Sequence, residues 1–257
     1  MEVIVKSEGG YYEFGRPLSI QRGCENNCRY CYARYDSVYR HKICQAFEWT
    51  MPIVNQKLVD KRYGKYKKPI MFPSTHDITE LNISECVVVI KKLLEKGNNI
   101  TIVSKPRWTV VPLMAEALLD WKEQITFRFT IGSTHDETLK FWEPGASGFE
   151  ERLRCLQYCF CKGYKTSVNC EPYLDGLVHL VYEATAEFVN ESFWIGAMKK
   201  FKPRVDRKEI SRENWNNFVR PMLAASTNEA VQAIYHTMKD KPFVVFKDSM
   251  RKAVEAK

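Results

Sequence analysis

Short runs dense in Ile, Val, Phe and Thr alternate along the chain with longer stretches in which apolar residues recur every three or four positions. The short runs predict strands at Leu18–Gln21, Ile70–Pro73, Ile100–Ser104, Ile125–Gly132, Thr166–Cys170 and Phe193–Ala197. The longer stretches predict helices. Ser84–Lys96 has Ser84 as N-cap and Gly97 just past its end, and Val110–Lys122 carries Pro112 in its first turn. Phe149–Lys162 is closed by Gly163, and Leu177–Asn190 follows. The first crossover, from Tyr32 to Lys68, is long and mixed. Six strand–helix alternations imply a parallel sheet with helices outside it and function on the loops at the strands' carboxyl ends. After Phe201 the alternation stops, so residues 1–204 read as the core and 205–257 as a mainly helical extension with one apolar run at Pro242–Phe246.

Composition narrows the class. The 257 residues are 45% hydrophobic and 27% charged, the balance of a folded globular protein with one sizeable core. No apolar run reaches the length of a membrane span, and Met1–Gly10 lacks the apolar stretch of a signal peptide, so a cytoplasmic location is expected. Net charge is +8, which favours anionic partners without naming one.

The nine cysteines carry the chemistry. Cys24, Cys28 and Cys31 form a C-x3-C-x2-C spacing directly after the first predicted strand. Thiolates are soft ligands for iron–sulfur clusters or zinc, and three on one short loop can face one centre. In a cubane of four irons, three cysteines leave one iron open to a small molecule. The alternatives are a zinc loop completed by Cys44 or His41, against which stands the lack of a second CxxC, and three ordinary buried thiols. Cys155 and Cys159 share a face of a predicted helix and read as packed structural thiols, with Cys161 off that face. The five histidines show no ligand spacing.

The cysteine spacing, with Tyr30 before the third cysteine and a six-fold β/α alternation around it, resembles the radical SAM superfamily. The wider text Arg22-Gly23-Cys24 through Cys28-Arg29-Tyr30-Cys31-Tyr32-Ala33-Arg34 is similar to its spore photoproduct lyase and DNA repair photolyase-like branch, with shorter matches over residues 16–200. The resemblance implies an α/β fold, a partial (β/α)6 TIM-like barrel. It further implies a [4Fe-4S] cluster and S-adenosylmethionine (SAM), which is cleaved by one electron to methionine and a 5′-deoxyadenosyl radical. A low-potential donor such as flavodoxin or ferredoxin would supply the electron. By the same resemblance Ser74, Thr75 and Asp77 would meet the methionine amino group, and Lys105 its carboxylate. Thr130 to Ser133 would meet the ribose, Glu143 and Arg152 would pair near the methionine end, and Tyr30, Asn169 and Glu171 would complete the cofactor site. Trp194 would pack on the adenosyl side. The chain departs from spore photoproduct lyase at Met71-Phe72-Pro73, where that enzyme has a hydrogen-donating cysteine.

Two basic stretches interleave with aromatics: Lys57–Lys68, with Lys61, Arg62, Lys65, Lys67 and Lys68, and Lys199–Lys208, with Lys200 and Lys202. Such text can track a phosphate backbone or simply face water. Three readings follow. The first is a radical SAM enzyme acting on nucleic acid or a nucleotide; the second is one modifying a peptide or small metabolite; the third is a zinc-binding module that holds nucleic acid.

Overall fold

The computed structural model describes residues 14–205 and 207–255. Met1–Gly10, read above for a leader, and Asp206 lie outside them. Seven parallel strands form one sheet: β1 (Arg16–Pro17), β2 (Ile70–Phe72), β3 (Ile100–Ser104), β4 (Ile125–Thr130), β5 (Lys165–Cys170), β6 (Ser192–Ile195) and β7 (Val244–Phe246). They pair in chain order, and among the described residues β1 and β7 remain its two edges, so the barrel is partial. Between the strands run α1 (Ile83–Leu94), α2 (Val111–Ala117), α3 (Asp136–Trp142), α4 (Phe149–Cys161) and α5 (Val178–Thr185). Beyond β6 the chain is mainly helical, and β7 extends the sheet from within that region. No described helix is long and apolar enough to cross a membrane.

The period-2 geometry of the strands explains how a core and a cavity share one sheet. Ile100 and Ile102 on β3, Ile125, Phe127 and Phe129 on β4 and Val168 on β5 are buried. They belong to one core with Val89, Ile90, Leu93 and Leu94 of α1 and Leu156 of α4. The alternate positions, Val103, Arg128, Thr130 and Asn169, line a cavity instead. In-register pairing places Val103 beside Arg128 and Thr130 beside Asn169, so the cavity-lining positions fall in rows.

Several elements differ from the sequence expectation. The first strand lies earlier, at Arg16–Pro17; Leu18 and Ile20 beyond it are buried in the main core, and Leu18 N still donates to Met71 O at 2.9 Å. Gln21–Arg22 instead forms a short antiparallel ribbon with Ile53–Val54. The first long helix starts after Asn82, not Ser84; the Asn82 side chain accepts from Thr79 N and donates to Gln21 Oε1. Gly97 and Gly163 close their helices at φ of 73° and 79°, a region that side chains disfavour. The second and fourth helices end early in 3-10 turns, at Leu119–Gln124 and Ala186–Phe188. Helix α3 carries no sequence expectation above.

Candidate active site

The cysteine loop leaves β1 and is clamped on every side. Gly23 sits at φ 85°, where a Cβ would lie 2.6 Å from Trp49 O, so only glycine lets the chain pass there. Cys24 N donates to that same carbonyl at 2.8 Å. Asn26, fully buried, donates to Asp77 Oδ2 at 2.8 Å and accepts from Arg107 Nη2 at 3.0 Å. Arg29 N donates to Trp142 O, and its guanidinium lies 4.9 Å over the Phe141 ring. Cys31 caps the short helix Tyr32–Arg34, its Sγ accepting from Arg34 N at 3.4 Å.

All three cysteines are free thiols and line one cavity of about 480 Å³ at the carboxyl ends of the strands. Burial pushes the Cys24 thiol up to about 12, with Asp77 and Cys31 adding to the effect, and it drives Cys28 well above its ordinary value. Lys105 pulls in the opposite direction at both. Thiolates here therefore need a strongly cationic partner, which a bound metal centre supplies. No three Cys, His, Asp or Glu side chains among the described residues are grouped to hold one metal ion. A cubane spreads its thiolates over separate irons, and three neighbouring thiols on one wall fit that donor set.

Beneath the loop lies a buried charge network. Tyr30 donates its hydroxyl to Glu143 Oε1, Arg152 Nη2 lies 2.6 Å from Glu143 Oε2, and Lys105 Nζ is 3.9 Å from Glu143 Oε1. Burial opposes ionisation of Glu143, yet Arg152, Lys105 and the Tyr30 hydroxyl together hold its carboxyl below the usual value. Burial also opposes the charge on Lys105, but Cys28, Tyr30 and Glu143 outweigh it and push its pKa up. Lys105 and Tyr30 reach the cavity wall; Glu143 and Arg152 support them from behind.

Asp77 is a hub. Its Oδ1 accepts from Ile78 N and from the Ser104 hydroxyl, its Oδ2 from Asn26, and Lys105 N bridges both oxygens at 3.2 and 3.0 Å. The carboxylate thus ties the cysteine loop to the ends of β2 and β3. Ser74 and Thr75 stand together on the wall, both bonded to Ser19 Oγ, at 3.0 Å from Ser74 Oγ and 2.8 Å from Thr75 Oγ1. Tyr32 donates to Ser74 O at 2.5 Å. His76 accepts from Ile20 N through Nε2, and burial lowers its pKa, so the neutral ring is a strut.

Thr130, Asn169 and Glu171 also line the cavity, whereas Ser133 does not. Ser133 is fully buried and donates to Asp175 Oδ2 at 2.5 Å. Trp194 packs between two cations, Arg128 at 5.0 Å and Lys247 at 4.3 Å from its ring. Of the basic residues, Lys199, Lys200 and Arg204 line the mouth, and Lys202 is exposed nearby. Lys61, Arg62, Lys65, Lys67 and Lys68 are exposed, and Lys65 donates to Gly97 O. That stretch leads into the amino end of β2, so it sits at the edge of the sheet opposite the cavity.

Ser19, Asn26, Arg107, Arg128 and Lys247 were not among the sequence candidates. For Arg128 the signal existed: in Thr126-Phe127-Arg128-Phe129-Thr130 a charge alternates with aromatics, which puts it on the face away from them. Lys247 follows β7 and lies 3.6 Å from Glu171 Oε2, bringing the C-terminal region into the site.

Among solved structures, the chain is similar to spore photoproduct lyase complexed with dinucleoside spore photoproduct. The identity is 15%, the match covers 95% of this chain and 78% of that one, and the TM-score is 0.51. A mutant of that lyase with bound AdoMet and the same dinucleoside matches at 16% identity over 90% of this chain and 75% of that one, also at 0.51. The likeness is one of fold: the chain shares the fold seen in spore photoproduct lyase. SuiB of Streptococcus suis bound to S-adenosylmethionine is a more distant match, at 12% identity and TM-score 0.46, covering 70% of this chain but only 39% of SuiB. No family model matches the sequence, and no curated protein matches it. In this fold the cavity described above occupies the carboxyl ends of the strands, where such sheets place their chemistry.

Proposed function

We propose that this chain is a radical SAM enzyme that holds a [4Fe-4S] cluster on Cys24, Cys28 and Cys31 and acts on a nucleic acid or nucleotide. The observation that carries it is the convergence of three free thiols from one eight-residue loop on the cavity that Ser74, Thr75 and Lys105 also enter. When bound, the cluster and SAM supply one-electron cleavage of the sulfonium. The chain's own residues do the rest. Lys105 holds a positive charge beside Cys28, kept in place by Glu143 and Tyr30, and would hold the methionine carboxylate of a bound SAM. Ser74 and Thr75 present hydroxyls pinned by Ser19, suited to the methionine amino group. Thr130, Asn169 and Glu171 also line the wall and would offer partners to the ribose hydroxyls. Asp77 spends its lone pairs on protein donors, so its part is to fix the loop.

The substrate reading rests on two supports. Spore photoproduct lyase, the similar structure, was solved with a dinucleoside in place. Lys199, Lys200 and Arg204 at the mouth give this chain cations for a phosphate backbone. Met71 lines the wall, and no cysteine stands in Met71-Phe72-Pro73, where the resemblance to spore photoproduct lyase implies a hydrogen donor, so a reaction here would draw its hydrogen from elsewhere than a thiol in that stretch. The test is anaerobic reconstitution followed by metal analysis and oligonucleotide binding. About four irons per chain and salt-weakened binding are expected. Zinc alone would contradict the cluster, and binding indifferent to both salt and the Lys199/Lys200 charges would contradict the substrate.

A further inference from the structure

The long crossover after the cysteine loop carries a surface that the proposed chemistry leaves unused. Among the described residues eleven large hydrophobic side chains are exposed, and five of them, Tyr39, Ile43, Phe47, Met51 and Ile53, fall within one stretch of fifteen residues. Phe47 and Met51 are 68% and 63% exposed, flanking the short turn Glu48–Thr50. Exposed apolar side chains concentrated in this way mark interaction sites rather than ordinary surface. An exposed aromatic and an exposed methionine also match the make-up of interface cores.

What lies beneath decides the partner. Trp49 and Cys44 are buried under this stretch and pack with Ala33 against Cys24, Cys31 and Tyr32. The Trp49 carbonyl is the acceptor for Cys24 N. The same stretch that carries the exposed apolar residues therefore packs its buried side chains against two of the thiols. A buried cluster takes its electron by tunnelling, which weakens steeply with distance, so a donor must seat on the surface nearest the thiols. The charges around the patch favour an acidic visitor. Arg22 and Lys42 are exposed, and Arg34 lies 5.6 Å over the Tyr39 ring. The two acidic groups are engaged locally: Asp36 pairs with Arg40, and Glu48 accepts from Gln45 N.

We infer that the apolar face of residues 39–53 is the docking site for a small acidic one-electron carrier protein that reduces the cluster on Cys24, Cys28 and Cys31. This rests on the cluster reading above. The carrier gives one electron to the cluster and leaves one-electron oxidised; nothing else is exchanged.

The test uses the reconstituted full chain and reduced flavodoxin, with Phe47→Asp and Met51→Asp alone and together. Both side chains are exposed, so the variants should keep their iron. Flavodoxin binding, followed by calorimetry, should weaken about tenfold or more in the double variant, the scale of losing an interface anchor. Flavodoxin-driven release of 5′-deoxyadenosine should fall in parallel, while dithionite-driven release stays at the level of the unsubstituted chain. Added salt should weaken flavodoxin binding to the unsubstituted chain. Unchanged flavodoxin binding in the double variant would overturn the assignment. So would a concentration-dependent dimer of this chain that the substitutions dissolve, since a second copy would then own the face. Failure of the unsubstituted chain to release 5′-deoxyadenosine with dithionite would count against the cluster reading, while the binding measurement still decides the docking face.

Discussion

Replacing Glu143 with Gln removes one charge from an ion pair whose two side chains have no exposed surface and whose atoms lie 2.6 Å apart. At an effective dielectric of about 20 the gross attraction at that distance is about 6 kcal/mol, most of it offset by desolvating both groups. Breaking the pair from one side leaves Arg152 charged and buried, which typically costs about 3–5 kcal/mol. For a chain of this size about 1 kcal/mol lowers the melting temperature by roughly 2–4 °C, so Glu143→Gln should lower it by roughly 6–20 °C. Arg152→Met should cost at least as much, because Arg152 also donates to Ser147 O and Thr130 O and would leave those carbonyls without a donor. The double variant separates the two effects. A coupling of about 2–3 kcal/mol should appear in the double-mutant cycle, followed by calorimetric or denaturant unfolding of iron-free protein. The Glu143 pKa lies below its ordinary value, so the pair's contribution is present above the usual carboxylate range and is lost as pH falls through the lowered native value. The slope of stability against pH in that acid window should flatten in Glu143→Gln. A coupling below about 0.5 kcal/mol, with both singles nearly as stable as the parent, would refute the view of this network as the loop's foundation.

Other perturbations follow from the same geometry. At Gly145 a Cβ would run into Glu25 O, so Gly145→Ala must push the cysteine loop; a loss of about 1–3 kcal/mol and faster iron release, read by melting and by chelator kinetics, are expected. Asp77→Asn should lower stability and iron retention more than SAM affinity, because that carboxylate is occupied by protein donors; unchanged stability with lost SAM binding in calorimetry would reverse the assignment. Neutralising Lys61, Lys65 and Lys68 should leave oligonucleotide binding intact, whereas Lys199→Gln with Lys200→Gln should weaken it and reduce its salt slope by up to about 2 units.

Much of the fold was readable because buried parallel strands are marked by dense apolar runs and their helices by a different period. The stretches at 100–104, 125–130, 166–170 and 193–195 all pair in the sheet as expected. The run at 242–246 was visible, but without a preceding strand–helix alternation it gave no sign of pairing, and β7 forms beside β6 through contacts distant in sequence. The first strand was displaced for a related reason: Leu18 and Ile20 are buried in the core just past the strand's end, and hydrophobicity reports burial, not where a strand stops. At the site, the cysteine spacing is local and therefore legible. The partners that hold the loop, Asn26 to Asp77, Gly145 to Asn26 and Arg107 to Asn26, join residues 51 to 119 positions apart. No periodicity encodes such pairings. Ser133 shows the converse, a polar residue at a strand end that turns to Asp175 rather than to the cavity.

The central claim is that Cys24, Cys28 and Cys31 hold a cluster at which SAM is cleaved. Its most direct test is release of 5′-deoxyadenosine from SAM by the anaerobically reconstituted protein with dithionite, beside single Cys→Ala variants. Product is expected from the unsubstituted chain and none from Cys24→Ala, Cys28→Ala or Cys31→Ala, with iron content falling in step. Product that persists when any one of these cysteines is removed, or an iron-loaded parent that leaves SAM intact, would contradict it.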